Sequence, residues 1–287
     1  MRHKTDILDT QLIHQFIKNA LAEDVGDGDH TSLSTIPAAT QGKAKLIIKE
    51  NGVLAGVELA LEIFKVVDPA LHVEILIQDG ATVKVGDIVL TVSGSTHAIL
   101  IAERLVLNCM QRMSGIATQT QLIVNKLKGS NTQILDTRKT TPGLRYLEKW
   151  AVRIGGGVNH RIGLYDMILI KDNHVDYAGG IANAIKAAQQ YLKDQNKSLQ
   201  IEIEVRNLKE LAQVLEIGGV DRIMLDNFGF DQLREAVKMV DKKFITEASG
   251  GITAENVAEY AACGVDYISM GALTHSVKSL DMSLKAY

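Results

Sequence analysis

Four short runs decide the fold: "IEIEV" at residues 201–205, "RIML" at 222–225, "FITE" at 244–247 and "YISM" at 267–270. Their first residues lie 21, 22 and 23 positions apart. That interval holds one strand, one helix and two loops, so the spacing predicts a repeated strand–helix unit. The runs are nearly continuous in apolar character, as strands covered on both faces by helices must be. Two further runs upstream, at 133–136 and 167–170, extend the series, and a short apolar stretch at 152–155 is a candidate seventh. Six such runs and the candidate seventh predict an α/β barrel, and an incomplete one, because roughly 250 residues are usual for eight units and only the second part of the chain is available.

The first part reads differently. A helical pattern occupies 10–22, with Asp9 or Thr10 as its cap. Short β-rich runs between 42 and 100 are cut by Asn-Gly, Asp-Gly and Gly-Asp turns. One helix interrupts them near 57–67, and a long helix is expected from about 96 to 128, broken at Ser114-Gly115. The domain boundaries expected are 1–113 for this mixed α/β part and 114–276 for the barrel. Residues 277–287 are expected to form a C-terminal helix returning to the first part.

The 287 residues carry a formal net charge of −3, which excludes a surface coated for nucleic acid. The cations are concentrated instead. From Asp136 to His174 there are seven Lys or Arg against four Asp or Glu, so this window is +3 and the remainder −6. A positive island in an acidic chain suits a small, highly charged anion. Two distant cysteines show neither disulfide nor metal spacing, which fits a reducing cytoplasm. No signal peptide and no membrane span of ~18 apolar residues is read.

In α/β barrels the chemistry gathers at the carboxyl ends of the strands. Read in order, those ends carry Arg138 and Lys139, then His160 and Arg161, then Lys171, Glu204, Asp226, Ser249-Gly250-Gly251 and Gly271. Arg grips carboxylates in bidentate fashion and Lys supplies a point charge. Glu204 and Asp226 offer hard oxygens to Mg²⁺ or to ribose hydroxyls. The glycine loops between strand and helix suit a phosphate. Each residue alone has an ordinary structural reading as a solvated cap, a core acid or a loop glycine; the argument rests on their convergence.

The runs "DTRKTTPGLR", "GGGVNHRIGLYDMILIKDNH", "IEIEV", "LDNF", "EASGGI" and "ISMGALTHS" resemble, in this order, the quinolinate phosphoribosyltransferase family. "LAEDVGDGDHTS" and "ERLVLNCMQRMSGIAT" extend the resemblance over nearly the whole chain. It implies a pentosyltransferase of NAD biosynthesis, joining quinolinate to phosphoribosyl pyrophosphate with loss of CO₂ and with Mg²⁺ as cofactor. It implies an N-terminal open α/β sandwich followed by an incomplete, seven-stranded α/β barrel, in a homodimer or hexamer with Arg104 donated to the neighbouring site. Arg104, Arg138, Lys139, His160, Arg161, Lys171, Glu204, Asp226, Ser249, Gly250, Gly251, Gly271 and His275 become the expected substrate contacts. Lys139, Lys171, Glu204 and Asp226 are the expected catalytic residues; Glu204 and Asp226 are the expected metal ligands. His30 and Arg206 depart from the family pattern as local features. Two other readings stay open: a Schiff-base lyase using Lys139 or Lys171, and a close relative acting on a different anionic ring; the carrier-like hairpin in "VKVGDIVLTVSG" lacks a lysine at a tight hairpin tip and reads as scaffold.

Overall fold

A computed structural model describes residues 10–287, so Asp9 lies outside the described residues. The strands are β1 (Gln41–Ile48), β2 (Gly52–Val53), β3 (His72–Ile75), β4 (Thr82–Val83), β5 (Ile88–Ser95) and β6 (Gln133–Leu135). They continue as β7 (Ile168–Ile170), β8 (Ile201–Val205), β9 (Arg222–Asp226), β10 (Ile245–Ser249), β11 (Tyr267–Ser269) and β12 (Met282–Ala286). Two compact units result. The first takes the chain up to Gln121 together with Thr141–Gly156 and Ser276–Tyr287; the second takes Leu122–Thr140 and Gly157–His275.

In the first unit a four-stranded antiparallel sheet runs in the order β12-β1-β5-β3. The segment "VKVGDIVLTVSG" supplies β5, which is paired on both edges and is sheet scaffold rather than a free hairpin tip. The expected C-terminal helix is instead strand β12, paired with β1 from Ala44↔Ala286 to Ile48↔Met282. The reason is periodicity. Met282 and Leu284 are buried while Ser283 and Lys285 are not, an alternation of two that a helix cannot satisfy.

The long helix is Thr96–Lys126, without a break at Ser114-Gly115. Gly115 is there for close approach: a Cβ at this position would lie 2.2 Å from the Lys278 carbonyl oxygen. Ser114 is completely buried, and its hydroxyl accepts from Ala55 N–H at 2.8 Å and donates to Ala55 O at 3.1 Å.

The second unit holds six parallel strands in the order β6-β11-β10-β9-β8-β7. Each lies within two residues of the run read from sequence. The candidate seventh strand at 152–155 is a different element: Val152 is inside helix Arg145–Ile154, in the first unit. The seventh position falls at Val158, which makes a single parallel bridge to Leu135. Among the described residues no bond joins that position to β7, so the hydrogen-bonded ring stays open.

Connecting helices lay apolar residues on the sheet. Leu211 and Val214 are buried from Leu208–Ile217, and Leu233, Ala236 and Val240 from Phe230–Val240. The Asn207 side chain caps the former by accepting from the N–H groups of Lys209 and Glu210, both at 3.0 Å. No helix of the described residues is long and apolar enough to cross a membrane.

Candidate active site

β8 explains how charge enters the interior. All five of its residues are buried. Ile201, Ile203 and Val205 share one face, so Glu202 and Glu204 share the other. Register places Glu202 beside Arg222, and puts Glu204 and Glu247 on either side of Met224.

The strand ends carry the rest. Buried Asp136 organises the loop after Val158, its carboxylate accepting from His160 N–H at 2.9 Å and from the Asn159 side chain at 2.5 Å. His160 is 8% exposed. Its Nδ1 accepts from the Arg161 backbone N–H at 2.7 Å. Its Nε2 lies 2.9 Å from Glu202 Oε2 and 3.6 Å from Glu247 Oε2. Arg161 donates from Nη1 to the Met167 carbonyl at 3.1 Å. Burial, and then the neighbouring Arg138 charge, hold the Arg161 pKa below its usual value. The Glu202 and Asp166 carboxylates offset part of that depression.

Lys171 Nζ is 3.1 Å from Glu204 Oε2, with Lys171 half exposed and Glu204 nearly buried. Asp226 accepts from the Asn227 side chain at 2.6 Å and stands beside Ser249 in register. Gly250 has φ +91°, and a Cβ there would fall 2.3 Å from Asn227 Oδ1, so only glycine fits. Gly251 also has positive φ; the helix that follows begins at Val257 rather than directly after the glycines. Lys139 is exposed; its Cδ lies 2.9 Å, and His275 Cδ2 3.0 Å, from where a Gly271 Cβ would stand. The Thr274 hydroxyl fixes that corner by donating to the Lys139 carbonyl at 2.8 Å.

The second unit therefore contains Arg138, Lys139, His160, Arg161, Lys171, Glu204, Asp226, Ser249, Gly250, Gly251, Gly271 and His275. Arg104 is exposed on the long helix of the first unit, and Arg145 also belongs to that unit. Of the two departures, His30 opens helix His30–Thr35, whose N-cap is Asp29, and exposed Arg206 pairs with Glu210 and Asp176.

The site list drawn from sequence lacked Glu202, Glu247 and Arg222. His160, Glu202 and Glu247 place ligand-type atoms within 4.8 Å of one another. Arg222 already supplies a cation there, donating from Nη1 to Glu247 Oε2 at 3.0 Å. Burial pushes both carboxyls up to about 7, and for Glu247 the Glu202 charge adds to it. A carboxyl with a raised pKa in the folded state binds protons more tightly there than when unfolded. Its contribution is therefore full below about 4.5 and is lost as pH rises toward 7. Glu247→Gln should flatten that part of the stability–pH curve, read as melting temperature against pH between about 4.5 and 7.5; parallel wild-type and variant curves would refute it.

Parallel strands whose ends join paired arginines, lysines, two carboxylates and a glycine turn define an α/β enzyme for polyanionic substrates. The comparisons make this specific: the chain belongs to the quinolinate phosphoribosyltransferase family. The family's N-terminal domain model matches residues 29–114 and its C-terminal domain model residues 116–285. A chloroplastic nicotinate-nucleotide pyrophosphorylase [carboxylating] of Arabidopsis thaliana is 50% identical over 284 residues, covering 94% of this chain and 81% of that protein. A probable nicotinate-nucleotide pyrophosphorylase [carboxylating] of Bacillus subtilis is 42% identical over 272 residues, covering 95% and 92%. The crystal structure of NadC from Streptococcus pyogenes superposes with a TM-score of 0.91 at 38% identity, covering 97% of each chain.

Proposed function

We propose that this chain transfers the phosphoribosyl group of phosphoribosyl pyrophosphate to quinolinate with decarboxylation. The products are nicotinate mononucleotide, CO₂ and pyrophosphate, a step of NAD biosynthesis. The observation that carries the reading is the set of cations that follow strand positions of one parallel sheet, Arg138, Lys139, Arg161 and Lys171, in a chain of this family. Quinolinate bears two adjacent carboxylates, and paired guanidinium groups match them.

In this reading Arg138 and Arg161 hold the ring carboxylates, and Lys139 with His275 and Gly271 takes phosphate oxygens. Lys171 faces the carboxylate that leaves. The ring nitrogen attacks C1 of the ribose as pyrophosphate departs, through a transition state with positive charge at C1. Glu204 and Asp226 stabilise that charge and hold the ribose hydroxyls. The ring 2-carboxylate then leaves as CO₂, its electron pair stays on C2 stabilised by the cationic nitrogen, and C2 takes up a proton from water to give the nicotinate ring. The protein supplies position and field, with no covalent intermediate.

Two carboxylates on adjacent strands fit a hard divalent cation, so Glu204 and Asp226 are the residues that would hold Mg²⁺. Bound with pyrophosphate, Mg²⁺ would neutralise leaving-group charge. Arg104 would complete the site from a neighbouring copy in a homodimer or hexamer. The two free, buried thiols suit a cytoplasmic setting. Against a Schiff-base lyase stands the carboxylate partner of Lys171, since an imine-forming lysine needs an apolar pocket or a neighbouring cation.

The test is a product assay with quinolinate, phosphoribosyl pyrophosphate and Mg²⁺, with nicotinate as the control substrate. Nicotinate mononucleotide and CO₂ from quinolinate alone are expected. Equal product from nicotinate, or none from quinolinate by folded protein, would refute the reading.

A further inference from the structure

A barrel interior is ordinarily filled by Val, Ile and Leu. Here one interior layer is charged. Glu202 on β8, Arg222 on β9 and Glu247 on β10 lie together, and Arg222 rests over the ring of Tyr267 on β11 at 4.7 Å from its centroid. Glu202 and Glu247 are completely buried. Neither Glu202 oxygen has an aligned hydrogen bond. A buried carboxylate in that state is costly, and an apolar side chain of the same size would avoid the cost. The layer therefore needs a reason other than stability.

Its partner from the loop after Val158, the His160 ring, supplies the reason: Nδ1 is hydrogen-bonded, while Nε2 lies against the carboxylates without an aligned hydrogen bond. Nδ1 accepts the Arg161 backbone N–H at 2.7 Å, so the ring proton belongs on Nε2, which faces Glu202 at 2.9 Å. Glu247 stands behind at 3.6 Å, itself held by Arg222. The Nε2 proton thus faces the carboxylates at ion-pair distance, and Nδ1 holds the backbone N–H of Arg161. This is the logic by which an acid orients a histidine in many sites.

We propose that Glu202, Glu247 and Arg222 are positioning residues that act through the His160 imidazole to hold the Arg161 backbone, and with it the guanidinium that meets the dicarboxylate. The inference rests on the quinolinate reading. It assigns the layer to one substrate: it should govern quinolinate, and leave phosphoribosyl pyrophosphate nearly untouched.

The experiment compares wild type, Glu202→Leu and Glu202→Gln as full chains. Calorimetry gives the Kd for quinolinate, and steady-state kinetics gives KM for each substrate. Leu fills the space without an acceptor; Gln keeps an oxygen facing Nε2. Expected for Glu202→Leu is an unchanged or higher melting temperature, quinolinate Kd and KM raised about 10-fold or more, and phosphoribosyl pyrophosphate KM within about 2-fold. Glu202→Gln should recover to within about 3-fold of wild type. Equal quinolinate affinity in all three proteins would overturn the proposal, as would a loss shared by both substrates or one that tracks a fall in melting temperature. If Leu does unfold the chain, Glu202→Met, which also lacks an acceptor, decides by the same ratio of KM values. Wild type that binds quinolinate without turnover would remove the proposed reaction but leave the positioning role to be judged by the Kd ratio. Wild type that does not bind quinolinate would end both.

Discussion

Arg138→Ala should lower kcat/KM for quinolinate by at least ~10²-fold while the melting temperature stays at the wild-type value. The two halves of this expectation have separate causes. Arg138 is exposed, so truncating it opens no cavity and strands no buried partner. Its charge nevertheless reaches Arg161, whose pKa it helps to depress. Between them these cations make a site that is repulsive when empty and favourable when a dianion enters. Removing one partner of a desolvated charge pair costs about 2–5 kcal/mol, and each ~1.4 kcal/mol is tenfold in rate. Relief of the Arg138–Arg161 repulsion works the other way, so the truncation carries no loss of stability. Arg138→Lys separates charge from geometry: a point charge without the fork should recover part of the loss, not all of it. Kinetics of Arg138→Ala within about 3-fold of wild type would take this residue off the substrate.

The strand series was legible because its signal is local. An apolar run at a repeat of 21 to 23 residues survives in one dimension, and β8 to β11 lie where it falls, while β6 and β7 are announced by their apolar runs alone. The charged ends of those strands were legible for the same reason, since strand direction fixes which end carries the loop. What failed is what depends on long-range pairing. Val158 is a single bridge residue and has no run to announce it, whereas "AVRI" at 151–154 has an apolar pattern that a helix uses equally well. Strand β12 is five residues long and exists because β1 offers it an edge. The segment Thr141–Gly156 groups with the first unit although both its neighbours in sequence belong to the second, a fact of contacts and not of composition. The charged interior layer was half visible. Alternation in "IEIEV" places Glu202 and Glu204 on one face, but only the register of β8, β9 and β10 brings Arg222 and Glu247 to Glu202. His160 was expected among the substrate contacts; with Nδ1 on Arg161 N–H and Nε2 toward Glu202, the ring has an additional use.

The opposite balance of stability and function is expected at Arg112. Its Nε and Nη2 donate to Glu148 Oε1 at 2.8 and 2.5 Å, and Nη2 also donates to the Thr141 hydroxyl at 2.9 Å. The other carboxylate oxygen, Glu148 Oε2, accepts from Thr141 N–H at 3.1 Å. The Glu148 side chain is 1% exposed. This closed set ties the long helix, helix Arg145–Ile154 and the turn that opens with Thr141, all within the first unit. Arg112→Met keeps the length of the side chain but leaves Glu148 as a buried charge without its cation. Breaking a buried pair from one side costs about 3–5 kcal/mol, which for chains of this size corresponds to a melting-temperature drop of roughly 6–20 °C. Arg112 is itself about a quarter exposed, so water can reach part of the gap and the lower end of that range is expected. The double variant Arg112→Met/Glu148→Leu should regain most of the loss, because an apolar pair of similar volume avoids the desolvation that the ion pair must offset. Urea midpoints for the two single variants and the double close a cycle, and the coupling should exceed ~2 kcal/mol. A single variant within ~1 kcal/mol of wild type would mean that Glu148 accepts a proton or a new donor at little cost. The carboxylate would then not be what fixes Thr141, the residue through which the chain passes directly from the cationic loop Arg138–Lys139–Thr140 into this unit.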